Sequence, residues 1–412
     1  MDTVWRALLF GAITALGAVA AQRGYSAFHD GVRPFVRDVA AGRRERREAA
    51  GSTWSMSWGF ILYYGAPFSL ATGVMEKHIL GLPADWIGIR SRRVSLAVGC
   101  GLLWGICASA LLSSTQWVFA NLPLPMDQHL LDIARPLLAM MPLIPVVAAT
   151  SQFGVRLGGF GVGGVTGAAY VAVIALGTDA PAAIAFAVGG IAHLFLVLRE
   201  RVDTPPPLPE ELAAGKSEIR RGTVALVLTG ALLAVATSLL WLGGEPASVM
   251  LIGLGHPLEA GLIGIYSWIG FAPLVTYTAL ASRAYTSAGM PDGVLATGLL
   301  VRYPPAAAVV GALAMWGELW GVGRFERIIS RFPGLHGAGA GIRDGILLVS
   351  EIALLIGGAI SADAMWPSVG FYIVGGFWLL NEASGRRVMR VAVGPLAAIA
   401  AGLAHNLQYW LS

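Results

Sequence analysis

Apolar runs close to the length that crosses a lipid bilayer recur along this 412-residue chain, at roughly 4–22, 94–115, 135–151, 158–177, 181–198, 222–243, 293–316, 344–362, 366–381 and 390–410. A hydrocarbon core needs about 20 such residues per helix, and inside it only helices or closed barrels satisfy their own backbone. The runs therefore predict an all-α polytopic membrane protein with about 10–12 transmembrane segments. Composition agrees: hydrophobic residues are 56%, charged residues 13%, mean hydropathy is +0.68 and glycine reaches 54 residues, which excludes a soluble domain.

Between the first two runs lies a loop, Arg23 to Thr53, that holds Arg23, Arg33, Arg37, Arg43, Arg44, Arg46 and Arg47. Short loops dense in Lys and Arg stay cytoplasmic, so this one sets the direction of the chain. Within it, Phe28-His29-Asp30-Gly31 places an imidazole and a carboxylate just before a Gly turn and a Pro-restricted Arg33. His29, Asp30 and Arg33 are expected to form a gating or hairpin-docking element at the membrane edge; a solvated topogenic loop is the plainer reading. The net charge of +4 comes largely from such loop arginines, so topology accounts for it and no nucleic-acid partner is needed. Met1 to Gln22 lacks a small-residue cleavage site ahead of a soluble domain and is expected to be a retained first helix.

Two stretches resist a simple span. Ser55 to Leu80 is interrupted at Gly65-Ala66-Pro67 and ends in Glu76-Lys77-His78, while Ser248 to Tyr285 is broken at Gly255-His256-Pro257 and Ala272-Pro273. If the first crossed once, Arg90, Arg92 and Arg93 would lie outside, and the linker 199–221 would follow them. A re-entrant hairpin instead brings the loop 81–93, the linker, the loop 317–343 and Arg386, Arg387 and Arg390 to the cytoplasmic side together. The chain then divides into membrane halves 1–198 and 222–412 around a Pro-rich linker. Two inverted repeats with broken or re-entrant helices follow, the usual build of secondary transporters. Ser57-Trp58-Gly59-Phe60 before Pro67 loosely echoes Ser267-Trp268-Ile269-Gly270-Phe271 before Pro273.

FHDGVRP (28–34), RREA (46–49), QFG (152–154), GFAPLVTYTALA (270–281), EIALLIG (351–357), LNEASGR (380–386) and NLQYWL (406–411) resemble, in the same order, motifs of the YhfT family of bacterial inner-membrane proteins. That resemblance implies a presumed transporter in the bacterial inner membrane. Family members can be encoded beside enzymes resembling pyridoxal-phosphate enzymes, alanine racemases, phosphotriesterases and phosphopentomutases, which implies an amino-acid-like or phosphorylated solute. The stretch 244–268 departs from the family pattern, so no role is carried over to His256 or Glu259.

Ionisable groups at membrane depth are costly and mark candidate sites, whereas those near helix ends snorkel to water. Glu351, seven residues past Asp344 in an apolar run, is the expected coupling carboxylate for a proton or cation; a hydrogen bond between helices is its structural alternative. Asn381 and Glu382 close the next span beside Arg386, as a boundary ion pair or as solute or ion ligands. His256 and Glu259 flank Pro257 at the start of a short helix whose positive dipole end suits an anion; a periplasmic loop with a capping Glu is the alternative. Arg302, inside its run before Tyr303-Pro304, is a candidate for holding an anionic group, whereas Arg135 marks a membrane edge. His193, His405 and Asn406 read as bonds between helices. Asp127, His129 and Asp132 read as a solvated external loop or a weak metal surface.

Other motifs carry no chemistry. GGFGVGGVTG (158–167) follows no strand and precedes no Lys-Ser/Thr, so it reads as close helix packing rather than a phosphate loop. Cys100 and Cys107, seven positions apart in one helix, lie roughly 10 Å apart along its axis, too far to bridge, and are expected to be reduced core residues. No zinc-protease or serine-nucleophile signature is present. The expectation is a secondary transporter of a small polar solute, coupled to H⁺ or Na⁺ and needing no other cofactor. Its partners would be the solute, the lipid bilayer and, as an open possibility, a second copy of the chain. The competing class is a non-transport membrane protein, either an intramembrane enzyme on a lipid-linked substrate or a scaffold.

Overall fold

A computed structural model describes residues 2–199, 201–204, 209–289 and 303–412. It is almost wholly helical, and among the described residues eight continuous helical runs are long and apolar enough to cross a membrane, one of them, Leu143–Ala175, folded back on itself. Many large side chains on the outer surface are apolar, Leu103, Leu111, Phe160, Phe195 and Leu379 among them. Such a surface suits hydrocarbon and not water. Cys100 and Cys107 are free, but both are exposed on that surface. The expectation of core cysteines is corrected, because the inner face of their helix is taken up by Gly101, Gly105 and Ala108.

The first half runs α1 (Asp2–Gln22), β1 (Ser26–Ala27), α2 (Arg33–Ala40), α3 (Arg46–Phe60), a π turn (Ile61–Gly65), α4 (Ala66–Thr72), β2 (Met75–Glu76), α5 (Lys77–Arg90) and α6 (Val94–Ala120). It closes with α7 (Asp127–Leu131), α8 (Arg135–Met140), α9 (Leu143–Gly154), α10 (Gly163–Ala175) and α11 (Pro181–Val197). The second half runs α12 (Glu210–Ile219), α13 (Thr223–Ser238), β3 (Leu242–Gly243), α14 (Pro246–Gly253), α15 (Pro257–Ser282) and β4 (Tyr285–Thr286). After the undescribed stretch come α16 (Pro304–Arg331), α17 (Gly334–Met365), α18 (Val369–Ala383) and α19 (Arg390–Leu411).

One joint recurs four times. A helix ends, the chain passes through one left-handed residue, and two residues later a two-residue strand begins. The left-handed residues are Gly24, Gly73, Leu240 and Arg283, leading to Ser26, Met75, Leu242 and Tyr285. The strands pair in parallel across the halves, β1 with β4 and β2 with β3. Exchanging β1 for β3 and β2 for β4 turns one pair into the other, as a two-fold axis requires. Backbone bonds repeat in kind: Met75 N–H donates to the Trp241 carbonyl and Tyr285 N–H to that of Tyr25, both at 2.9 Å. One sequence separation relates Gly73 to Arg283, Met75 to Tyr285 and Ser57-Trp58 to Ser267-Trp268, so the echo read in the sequence lies in the numbering of the structural repeat.

The related helices α1 and α13 run antiparallel. Gly222, just before α13, meets Tyr25 beyond the end of α1, whereas Leu233 and Ala236 near the end of α13 pack with Phe10 and Ile13 at the middle of α1. Small residues make each half tight: Gly101 and Gly105 of α6 lie against the α1 backbone, and Gly311 of α16 against Gly230 of α13. Van der Waals contact through such residues holds helices together where no water is expelled.

The segment of α3, α4 and α5 enters and returns. The Arg46 guanidinium at its start donates to the carbonyls of Ile89 (3.0 Å) and Ser91 (2.9 Å) at its end, so both lie on one face. The ion pair of Arg37 with Glu218 joins the first loop to the linker, and Val202 N–H of the linker donates to the Arg331 carbonyl. The linker holds a helix, α12, whose Gly215 packs on the Leu280 backbone. In the second half the chain breaks at Gly255-His256 as expected. It does not break at Ala272-Pro273: α15 continues through Pro273. A proline costs one N–H bond and a local kink there, which tertiary packing of a buried helix sustains.

The long run Leu143–Ala175 is two arms and not one helix. Gly154 has φ 78 and ψ 176, a conformation essentially reserved for glycine, and beyond it Gly158 returns onto Ala149 and Thr150 while Gly163 faces Val146. The spans expected at 135–151 and 158–177 are thus separate arms of a hairpin.

Candidate functional site

The two strand pairs border a cavity of about 420 Å³. Its lining includes His29 and Asp30 after β1, Lys77 and His78 after β2, Glu245 after β3 and Thr286 in β4, with Phe60, Tyr64, Trp268 and Phe271 as an aromatic wall. Each broken helix therefore delivers the residues just past its left-handed joint to one space. His29 and Glu245 hold equivalent places after β1 and β3, so the repeat supplies the same geometry with a different side chain.

On the first-half side the polar groups are firmly held. Buried Asp85 of α5 accepts from the N–H groups of Phe28 (2.9 Å) and His29 (3.3 Å), and His29 Nδ1 accepts from Gly31 N–H at 3.1 Å. Arg33 is fully buried; it pairs with Asp30 and donates to the Thr278 hydroxyl (2.8 Å) and the Val275 carbonyl (3.2 Å) of α15. His29 and Asp30 thus face the cavity while Arg33 docks the loop on the second half. Glu76, also buried, caps α5 by accepting from His78 N–H (2.8 Å) and lies 2.6 Å from His78 Nδ1.

The opposite wall centres on Glu245. Its Oε2 accepts from Tyr64 O–H at 3.0 Å, its Oε1 is 3.4 Å from the Ser267 hydroxyl and 3.9 Å from Lys77 Nζ. Tyr64 stands in the π turn Ile61–Gly65, and such a turn, often found at functional sites, re-aims the side chains that follow it. Glu245 also sits at the N-terminus of α14, where the positive end of the helix dipole favours a carboxylate or a ligand's negative charge. Lys77 and Glu245 together offer a cation and an anion to one small solute between aromatic faces.

The other residues singled out in the sequence lie elsewhere. Glu351 is not among the cavity residues; its Oε2 is 3.8 Å from an Arg390 nitrogen. Glu382 is bound by Arg390 (2.7 Å) and Arg386 (3.0 Å). Asn381 bridges Val388 through its N–H and carbonyl, both at 2.9 Å, and so closes the turn between α18 and α19. His256 lies 3.4 Å from the buried Glu259 at the turn between α14 and α15. Arg302 falls outside the described residues. His193 bridges Tyr266 (2.5 Å) and Gln152 (3.1 Å), and His405 and Asn406 bond the Met365 and Leu124 carbonyls. Asp132 pairs with Arg135, and among the described residues no group of three or more His, Cys, Asp or Glu is placed to hold a metal ion.

Glu245 and buried Glu318 carried no expectation. Each sits just past the end assigned to an apolar run, where a carboxylate reads as the helix boundary. In the folded chain Glu245 borders the cavity and Glu318 accepts from Tyr285 O–H at 2.9 Å. The Gly-Gly-Glu-Pro step (243–246), a possible helix start after an apolar run, was the available signal.

Residues 6–412 match the YhfT family, described as a protein of unknown function. The chain is 27% identical to "Uncharacterized protein YhfT" of Escherichia coli (strain K12), over 100% of this chain and 99% of that one. No solved structure matches.

Proposed function

We propose that this chain, which belongs to the YhfT family, is a secondary transporter of the bacterial inner membrane for a small, negatively charged or zwitterionic solute. The observation that carries the reading is the cavity at which the broken helices of two antiparallel repeats converge, with Lys77 and Glu245 on its wall. Discontinuous helices meeting at the interface of inverted repeats are the usual setting of a carrier's solute and ion sites. The solute's carboxylate or phosphate faces Lys77, an ammonium group faces Glu245, and the aromatic side chains cover its apolar part. A solute without an ammonium group that engages Lys77 leaves Glu245 to a proton or Na⁺, which couples the two. This assignment moves the coupling carboxylate from Glu351 to Glu245, because Glu351 lies off the cavity beside Arg390.

Proteoliposomes with an imposed proton or sodium gradient provide the test. They are offered labelled amino acids, sugar phosphates and small organic acids in turn. Gradient-dependent uptake of at least one, abolished in Lys77→Met, is the expected outcome. Equal uptake by protein-free liposomes across all three classes contradicts the proposal.

A further inference from the structure

A second cavity, of about 460 Å³, lies between α15 and α17, lined by Gly270, Phe271, Leu274, Tyr277, His336 and Arg343 among others. It shares Phe271, Leu274 and Arg343 with the central cavity, so these three side chains form the wall between the two spaces. The second cavity lies toward the face of the arginine-rich loops. Its Tyr277 adjoins Thr278, which binds Arg33, and its His336 follows Gly334, whose carbonyl binds Gln152 near the Gly154 turn.

We infer that this second cavity is the entry vestibule for solute on the arginine-loop face, with Phe271 and Leu274 as its inner gate and Arg343 as the residue that selects small anions. Pro273 sits between the two gate residues inside α15. Its missing N–H leaves one helical carbonyl without its usual donor, and such a point lets a helix bend. The backbones of α15 and α17 touch where Gly339 faces Gly270, which fixes a pivot beside the gate. Arg343 is exposed and no carboxylate pairs with it among the described residues. An anion would pass from its guanidinium to Lys77 in the central cavity, and a positive charge lining such a passage raises the arrival rate of anions by about 10-fold or more. The GFAPLVTYTALA stretch (270–281) thereby gains a role, since it supplies the wall of both spaces.

The inference rests on the central cavity being the solute site, but its test needs neither a known solute nor transport. With Cys100 and Cys107 changed to Ser, single cysteines are placed at Ala41→Cys in the first loop, Ala340→Cys in the vestibule and Ala288→Cys in the central cavity. Two membrane-impermeant methanethiosulfonates are added to sealed vesicles, one with a negative sulfonate and one with a positive trimethylammonium group. Addition on the side that labels Ala41→Cys should label the other two, and addition on the opposite side should label them more slowly. At Ala288→Cys the ratio of negative to positive reagent rates should fall about 10-fold in Arg343→Gln, while the ratio at Ala41→Cys stays unchanged. Faster labelling from the opposite side, or a ratio at Ala288→Cys indifferent to Arg343→Gln in protein that remains monodisperse, overturns the inference. Normal access with no uptake of any solute counts instead against the transport reading.

Discussion

Two charged clusters, both built around glutamates, differ in what surrounds them. Around Arg390 the charges are closed on one another: Glu382 takes two guanidinium nitrogens of Arg390 (2.7 and 2.8 Å) and one of Arg386 (3.0 Å), and Glu351 approaches the same Arg390 from α17. At the central cavity Glu245 meets two hydroxyls and lies 3.9 Å from Lys77, with about 420 Å³ of space beside it. An ionisable group in or beside an apolar run marks function by default, yet the charges alone do not separate these clusters. Adjacent space does. The Arg390 cluster ties α18 and α19 to α17, and the Lys77–Glu245 pair borders the central cavity.

The sharpest way to break the comparison is to remove charge on the open side. Lys77→Met should cost about 2–5 kcal/mol of solute affinity, the loss typical when one partner of a buried charge pair is truncated, read as apparent affinity in proteoliposome uptake. Retained affinity would return Lys77 to a packing role. A smaller effect is expected one step from the cavity: Asp85→Asn weakens an acceptor shared by the N–H groups of Phe28 and His29 and should destabilise the fold by about 1–3 kcal/mol. Thermal unfolding in detergent measures this, and an unchanged midpoint would show that the β1 loop holds itself. The closed cluster sharpens the contrast from the other side. Arg390→Gln should lower the thermal midpoint slightly, since exposed ion pairs contribute little, and should leave uptake near the wild-type rate; a transport defect without a stability change would put the Arg390 cluster in the solute path.

Much of this arrangement is legible in the residues. The contact of Arg46 with the Ile89 and Ser91 carbonyls places the ends of the first broken segment together, as the hairpin inferred from its arginines requires. Gly255-His256 announces a break because no side chain there favours helix. The strands are not legible: two residues are too short to show an alternating pattern, and two of the four left-handed joints use Leu240 and Arg283 instead of glycine. Asparagine and glycine mark such positions in sequence; a leucine is held there only by the packing of the finished fold. The cavity escaped for the same reason, since Lys77 and Glu245 are distant in the chain and meet only because β2 pairs with β3. Glu351, by contrast, stands out in an apolar run although Arg390 answers its charge.

The most direct test of the central claim sets Glu245→Gln against Glu351→Gln in one experiment. Proteoliposomes bearing wild type or either variant are incubated with a bacterial metabolite extract under a proton or sodium gradient, and their retained solutes are identified by mass spectrometry. The cavity assignment predicts solutes enriched by wild type and by Glu351→Gln, and lost or merely equilibrated in Glu245→Gln. Enrichment that survives in Glu245→Gln and disappears in Glu351→Gln would contradict it and return coupling to the carboxylate beside Arg390.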